Sequence, residues 1–243
     1  MSNTKTYVTS MDLARENSKW HFSPSIQSHD FSRVGRFLGD WAPNLAGLDS
    51  LLTAREKYTP ISIGKRKRLY GGGPTPILKN ELEDWGYPTD YVFCSTAILD
   101  PLLGEGQAAF ISSLLQLSGL GKPSAVLIKQ LPGQMLPWHC DLFHTYRSTV
   151  SVKPDETVVR YLVAMEAWDW GHYLAIGNSV WHQWECGEAI SWPYLMYHGS
   201  ANCGRSPKFT LSITGVESDA AIHRKPFTTY HVETSLREAQ AKF

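Results

Sequence analysis

The sequence lacks several features that would place a protein on a membrane or on nucleic acid. No stretch approaches the roughly 18 uncharged apolar residues of a membrane-spanning helix. The first residues, Met-Ser-Asn-Thr-Lys-Thr-Tyr, lack the apolar core of a signal peptide. Charge of one sign is not in excess either, because 23 Lys and Arg balance 23 Asp and Glu, so no global field attracts nucleic acid or anionic lipid. These absences predict a cytoplasmic protein and argue against membrane and nucleic-acid partners.

Three local patterns exclude or weaken other function classes. The four cysteines show no C-x-x-C spacing and are too few for a disulfide framework in a chain of 243 residues, which predicts reduced thiols. A glycine triplet at residues 71–73 is followed by Pro74 and lacks the Lys-Ser/Thr ending of a phosphate-binding loop, so it predicts a mobile turn or a lid. Four basic residues at 65–68 either contact phosphate or an acidic partner or form a solvated loop or edge strand; the balanced charge favours the second interpretation.

Short apolar runs dominate the second half of the chain. Residues 44–58 and 107–117 are predicted to be helices, because their apolar residues suit one buried face. From residue 124 onward, β-type runs are separated by Gly, Asn and Pro turns, which is typical of an antiparallel sandwich or barrel. The predicted strands are residues 125–131, 157–165, 172–176, 180–184, 188–192, 195–198 and 208–214, with a polar loop at about residues 144–156.

These runs predict a mainly β fold with flanking helices. A single domain of residues 1–243 is expected, because each half alone is too small and too exposed. Its parts are a helical and loop-rich N-terminal support region at residues 1–123, a β core at residues 124–215 and a C-terminal tail at residues 216–243.

A His-x-Asp segment is the strongest local signal for chemistry. His139 and Asp141 are two residues apart, and in an extended segment such residues leave the backbone on the same face. His198, in Tyr-His-Gly-Ser, is the best candidate for a third ligand. Two His and one carboxylate form the facial set of non-haem Fe(II) oxygenases. The pair alone is weak evidence, since a His-x-Asp arises by chance at roughly one His in twenty.

Polar residues also interrupt two apolar strands. In residues 208–214, Lys208 and Thr210 share the polar face, which either meets water or lines a cavity, while the N-terminal helices can cover the apolar face. Arg160 lies within the apolar run at residues 157–165. A buried arginine needs a partner. Arg160 therefore has a structural carboxylate partner, lies at an exposed strand end, or binds an anionic ligand inside the barrel.

Taken in chain order, these residues resemble a known family. The order is His-x-Asp at residues 139–141, then Arg160, Trp-x-x-Gly at residues 184–187, His198 and a basic residue ten positions later. This order is similar to that of the Fe(II)/2-oxoglutarate-dependent dioxygenases, and most similar to their aspartyl/asparaginyl β-hydroxylase-like branch. The resemblance covers roughly residues 124–215. It implies a double-stranded β-helix, a jelly-roll or cupin-like core, with the N-terminal helices packed on one sheet.

The resemblance also implies the residues of the metal site. His139, Asp141 and His198 match the family's iron ligands. The β-hydroxylase branch often lacks the metal carboxylate, whereas this chain keeps it at Asp141. The chain therefore resembles a member of the family with a complete set of three ligands.

The co-substrate residues follow in the same way. Lys208, with Thr210 beside it, matches the basic position that holds the far carboxylate of 2-oxoglutarate, although the branch usually has Arg there. Lysine is a point charge and lacks the planar fork of Arg. Arg205 is the alternative anchor, because some related families place the basic residue closer to the distal His. Arg160 matches a second arginine that contacts the co-substrate.

The implied reaction uses Fe(II), 2-oxoglutarate and O2, releases succinate and CO2, and hydroxylates an unactivated C–H bond; stimulation by ascorbate is compatible with it. The expected substrate is a peptidyl residue such as Asp, Asn or Pro, or a free amino acid or other small metabolite. The alternative is a non-catalytic jelly-roll module that senses metal or 2-oxoglutarate. A nucleic-acid base oxygenase is a weaker hypothesis that rests on residues 65–68 alone. The sequence predicts no oligomeric state.

Overall fold

The computed structural model describes residues 30–56, 67–68, 94–98 and 105–232. Its α-helices are α1 (Trp41–Glu56), α2 (Glu105–Leu117) and α3 (His144–Thr149), and a short 3-10 helix covers Ile222–Arg224. None of the helices in these ranges combines the length and apolarity needed to cross a membrane. The strands are β1 (Ser32–Leu38), β2 (Lys67–Arg68), β3 (Ser95–Ile98), β4 (Gly121–Gln130), β5 (Met135–His139), β6 (Val158–Ala164), β7 (His172–Ile176), β8 (Ser179–Trp181), β9 (Glu188–Ser191), β10 (His198–Asn202), β11 (Lys208–Val216) and β12 (Thr229–His231).

The strands form two sheets. The larger sheet has the order β12-β1-β9-β6-β11-β4-β3-β2, and the smaller sheet has the order β5-β10-β7-β8. From β4 to β11 the chain passes back and forth between the sheets, and the core pairs are antiparallel. This alternation is the path of a double-stranded β-helix. The predicted mainly β fold with a jelly-roll, cupin-like core is therefore confirmed.

The two faces of strand β11 lie in different environments, one against the helices and the other inside the barrel. Its apolar side chains pack under α1 and α2 in the main hydrophobic cluster, whose members include Leu48, Phe110, Leu114, Phe209, Leu211 and Ile213. Each such buried side chain contributes about 1.5–3 kcal/mol. The alternate side chains lie on the inner face and are also buried: Lys208, Thr210, Ser212 and Thr214. The expected cover of one sheet by the N-terminal helices is confirmed, and the polar face of β11 lines the barrel.

Some predicted boundaries need correction. Helix α1 begins at Trp41 and not at residue 44, because Pro43 falls in the first turn, where a missing N–H leaves no hydrogen bond unmade. The strand predicted at residues 195–198 is wrong. The chain turns there, with the N–H of Met196 donating to the carbonyl of Pro193 at 3.1 Å and Leu195 at a left-handed φ of 66°. The strand begins only at His198, and the polar loop predicted near residues 144–156 contains α3.

Two strands from the N-terminal part extend the larger sheet. Strand β1 pairs antiparallel with β9 and parallel with β12, a contact that no apolar periodicity in the sequence revealed. At the other edge, β2 pairs parallel with β3. The edge-strand interpretation of the basic run is thus confirmed for Lys67 and Arg68, whereas residues 65–66 and the glycine triplet at 71–73 lie outside the described residues.

Candidate metal centre

Strand pairing brings two of the predicted ligands together. Strands β5 and β10 are antiparallel, and His139 lies directly opposite His198. Their ring centroids are 4.4 Å apart. Asp141 follows the end of β5, and its Oδ2 lies 3.4 Å from Nε2 of His198. One ligand atom from each of the three residues lies within 4.8 Å of the others, so the structure gathers the three side chains that the sequence singled out.

The backbone orients both imidazoles. Nδ1 of His139 lies 2.8 Å from the carbonyl oxygen of Pro137, and Nδ1 of His198 lies 2.9 Å from that of Met196. A carbonyl oxygen only accepts, so in each ring Nδ1 carries the hydrogen and Nε2 presents its lone pair. A hydrogen bond from the second ring nitrogen is the usual support of a metal-binding histidine. Trp192 packs against His198, with ring centroids 4.8 Å apart.

The third predicted ligand is held as an anion. Oδ2 of Asp141 accepts a hydrogen bond from Nη1 of Arg160, and Nε of Arg160 donates to Thr214 Oγ1 at 3.0 Å. Burial alone would raise the pKa of Asp141, but Arg160 and the neighbouring His198 and His139 hold it well below its usual value. Arg160 thus has the carboxylate partner that one interpretation of the sequence required. Its contact with a co-substrate stays a prediction.

Lys208 opens β11 and reaches across the barrel. Its Nζ donates to the backbone carbonyls of Tyr173 at 3.1 Å and Ala201 at 3.2 Å, on strands β7 and β10 of the smaller sheet. An ammonium group has three donors, and no carboxylate of the described residues forms an ion pair with this one. Burial lowers the pKa of Lys208 to about 7. Arg205, by contrast, is exposed in the loop before β11, so of the two candidate anchors Lys208 is the one inside the barrel.

Buried polar groups without a partner also lie inside the barrel. Among the described residues, the buried groups without a hydrogen-bond partner include Ser212 Oγ and the indole nitrogens of Trp181 and Trp184. An unmet buried donor costs about 1–3 kcal/mol. Along β10, the three residue steps from His198 to Ala201 span about 10 Å. Lys208 Nζ, which donates to the carbonyl of Ala201, therefore contacts β10 about 10 Å along the strand from His198.

A cleft open to solvent lies beside the metal centre. Asp141 and Arg160 are the charged residues of its described lining, and the guanidinium carbon of Arg160 lies 4.7 Å from the ring centroid of Phe143. Phe143 in turn stacks with Tyr194 at 5.8 Å between centroids. The other walls include Trp192, Pro193, Leu195 and Met196. The cleft therefore joins the ion pair of Arg160 and Asp141 to a mainly apolar surface.

Sequence reasoning missed Phe143 and Tyr194. Neither belongs to a periodic run, because both lie in turns, and Phe143 has a left-handed φ of 53°. The one usable signal is position, since Phe143 follows Asp141 closely and Tyr194 precedes His198 by four residues. Turn residues next to ligands are natural candidates for the rim of a site.

No family model and no curated protein match this sequence. Among solved structures, the chain is similar to a Pseudomonas putida prolyl-4-hydroxylase, with 14% identity, a TM-score of 0.48, and coverage of 78% of this chain and 94% of that one. It is also similar to AviO1 from Streptomyces viridochromogenes Tue57, with 19% identity, a TM-score of 0.41, and coverage of 82% and 92%. A Cupin 2 conserved barrel domain protein from Salinispora arenicola CNS-205 aligns at 9% identity and a TM-score of 0.29 over 54% of this chain and 81% of that one. The fold assignment stands on the strand pairing itself, and the aspartyl/asparaginyl β-hydroxylase-like branch stays a prediction.

Proposed function

We propose that this protein is an Fe(II)- and 2-oxoglutarate-dependent oxygenase that hydroxylates an unactivated C–H bond. The observation that carries the proposal is the convergence of His139, Asp141 and His198, whose ligand atoms lie within 4.8 Å of one another. Both imidazoles present Nε2, and the carboxylate is ionised. This donor set suits Fe(II) in a facial arrangement that leaves open positions for other ligands.

The protein's own residues would bind the iron and fix the orientation of its ligands. His139, Asp141 and His198 would hold the iron, and their hydrogen bonds to backbone carbonyls and to Arg160 would fix their directions. Bound iron and 2-oxoglutarate supply the oxidising chemistry, which consumes O2 and releases succinate and CO2. The apolar inner wall around Leu162 and Ile190 would exclude water from the site.

The far carboxylate of 2-oxoglutarate would be held by Lys208. Its ammonium group is buried, has a donor left after its two bonds to backbone carbonyls, and shares the inner face of β11 with Thr210. A charge-assisted hydrogen bond to a buried cation is worth about 1.5–3 kcal/mol. Arg205 is exposed, which makes Lys208 the better anchor.

The test separates binding from turnover. Purified protein should bind Fe(II) and 2-oxoglutarate by calorimetry under anaerobic conditions, and with O2 it should form succinate when a substrate is supplied. His139→Ala should lose iron binding, with the exposed His182→Ala as its matched control. Lys208→Ala should weaken 2-oxoglutarate binding at least about tenfold, with Arg205→Ala as its control. Iron binding by His139→Ala equal to that of the wild type would show that the ligand assignment is wrong.

Turnover distinguishes the oxygenase from a sensor module. A sensor would bind metal and 2-oxoglutarate through the same residues and would release no succinate with any candidate substrate. Succinate formation that depends on His139, Asp141 and His198 therefore supports the oxygenase. The candidates to screen are peptides containing Asp, Asn or Pro, free amino acids and other small metabolites.

A further inference from the structure

Arg160 faces the cleft with N–H donors that its protein partners do not use. Its Nη1 donates to Asp141 and its Nε to Thr214, and among the described residues its Nη2 has no acceptor. A quarter of the side chain is exposed, at 25%, and the residue lines the cleft. A guanidinium with an unused N–H edge at a partly buried surface is a good donor site for a carboxylate.

The cleft also offers an aromatic surface beside that cation. Phe143 and Tyr194 stack at 5.8 Å, with an angle of 23° between their planes. Tyr194 keeps 52% of its surface exposed. Exposed aromatic groups at the mouth of a site are suited to contact a flat ligand, because stacked or edge-on rings attract each other beyond the area that they bury.

The lining of the cleft narrows the ligand further. The cleft is open to solvent, and its described walls are mainly apolar apart from Asp141 and Arg160. An aspartyl or asparaginyl side chain would leave the apolar walls of Trp192 and Met196 without contact.

We propose that this cleft binds the molecule to be oxidised, and that this molecule is a small carboxylic acid with an aromatic body. Its carboxylate binds Nη2 of Arg160, and its ring packs against the stacked pair of Phe143 and Tyr194. The inference rests on the proposed function for the reaction. The binding itself needs neither iron nor 2-oxoglutarate, so it can be measured separately.

The co-substrate is a rival occupant that can be tested directly. The family resemblance implies that Arg160 contacts 2-oxoglutarate. Lys208, whose Nζ donates to the carbonyls of Tyr173 and Ala201, is a second cation that could bind the co-substrate instead. If the cleft belongs to the substrate, 2-oxoglutarate should not displace an aromatic acid from metal-free protein.

The first experiment measures binding to the full, metal-free chain by ligand-observed NMR. The probes are 3-phenylpropionate, its uncharged amide and succinate, which has carboxylates but no ring. 3-Phenylpropionate should bind, and the amide should bind about tenfold more weakly, because it loses a charge-assisted hydrogen bond. Succinate should not displace the aromatic acid. Equal binding of acid and amide, or displacement by 2-oxoglutarate or succinate, would overturn the proposal.

Two variants locate the site. Tyr194→Ala should weaken the binding of 3-phenylpropionate about threefold to tenfold, because an aromatic contact is lost. Phe227→Ala is the control, since it removes an aromatic side chain that is 54% exposed outside the cleft, and it should leave binding unchanged. Asp141→Asn should strengthen binding about fivefold, because it removes a nearby like charge and frees Arg160. A structural effect would weaken binding, so a loss of affinity in Asp141→Asn, or no change in Tyr194→Ala, would count against the cleft.

The two proposals fail in different ways. If the wild-type protein binds 3-phenylpropionate but neither iron nor 2-oxoglutarate, the oxygenase proposal is wrong and the proposal of a carboxylic-acid site stands. If the protein binds iron and 2-oxoglutarate but not the aromatic acid, the oxygenase proposal stands and the proposed substrate class is wrong. Stimulation of succinate formation by a doubly blocked phenylalanine, but not by free aromatic acids, would assign the cleft to peptides and overturn the inference.

Discussion

His139 and His198 face each other directly across the ladder between β5 and β10, with ring centroids 4.4 Å apart. The register of two strands, and not a loop, therefore sets the distance between two candidate iron ligands. A slip of one residue would turn one of these side chains to the other face of the smaller sheet. Metal binding should thus stabilise the pairing of β5 with β10.

Metal removal should lower the melting temperature of the wild type, because a ligand that binds the native state alone stabilises it. Fe(II) or Co(II) should raise Tm in calorimetric scans, and a chelator should reverse the rise. His198→Ala should show neither effect, since it leaves two ligands. His182→Ala should behave like the wild type, because His182 is exposed. An equal metal-induced rise in His198→Ala would contradict the assignment.

The pH dependence of 2-oxoglutarate binding should reflect Lys208. Burial lowers the pKa of this lysine to about 7, and a bound carboxylate favours its charged form. Binding above pH 7 therefore requires uptake of a proton, so affinity should fall by up to tenfold per pH unit above about 7 and level off below it. Calorimetry in buffers of different ionisation heat measures the proton directly. Lys208→Arg should remove this dependence, because arginine stays charged.

The sequence predicts the barrel better than its surroundings. The alternation in residues 208–214 locates both faces of β11, because one face packs under α2 and the other lines the barrel. Strand β1 escaped prediction because its pairing with β9 joins residues more than 150 positions apart, and local periodicity contains no such information. The turn at Leu195 has the sequence of a strand, because three apolar residues follow one another there.

In the candidate site, too, local features can be predicted from the sequence and tertiary contacts cannot. The ligand pair within residues 139–141 is local, so its spacing alone places both side chains on one face. The contact of Arg160 with Asp141 is tertiary, and the sequence left it as one of three alternatives. The stack of Phe143 on Tyr194 depends on two separate turns, and no motif predicts it.

The glycine of the Trp-x-x-Gly motif has a structural role that can be tested. Gly187 has a φ of 79°, and an added Cβ would lie 1.8 Å from the carbonyl oxygen of Phe37 in β1. Gly187→Ala should therefore push β1 away from β9 and destabilise the protein by several kcal/mol more than the strain of a left-handed alanine, which is about 1–2 kcal/mol. Gly133→Ala is the matched control, because its φ is 83° and nothing lies within 4 Å of its added Cβ. Urea denaturation of both variants gives the comparison, and equal losses would refute the close contact.

Glu166 should make stability fall between about pH 4 and pH 7. Its Oε1 accepts the N–H of Phe209 at 3.1 Å at the start of β11, and burial, with the nearby charges of Asp169 and Asp49, raises its pKa to about 7. The unfolded side chain titrates near 4.3, so between these values the folded state binds more protons than the unfolded state, and stability declines as pH rises.

Glu166→Gln keeps an acceptor for Phe209 and removes this titration. Its Tm relative to the wild type should therefore increase from pH 5 to pH 8. Glu156→Gln is the opposite case, because the backbone N–H of Lys153 and the side chain of Lys122 lower the pKa of Glu156. That variant should lose Tm relative to the wild type as pH rises from about 3 to 5, where the unfolded carboxyl ionises. A Glu166→Gln curve parallel to that of the wild type at every pH would mean that Glu166 is ionised in the folded state throughout this range.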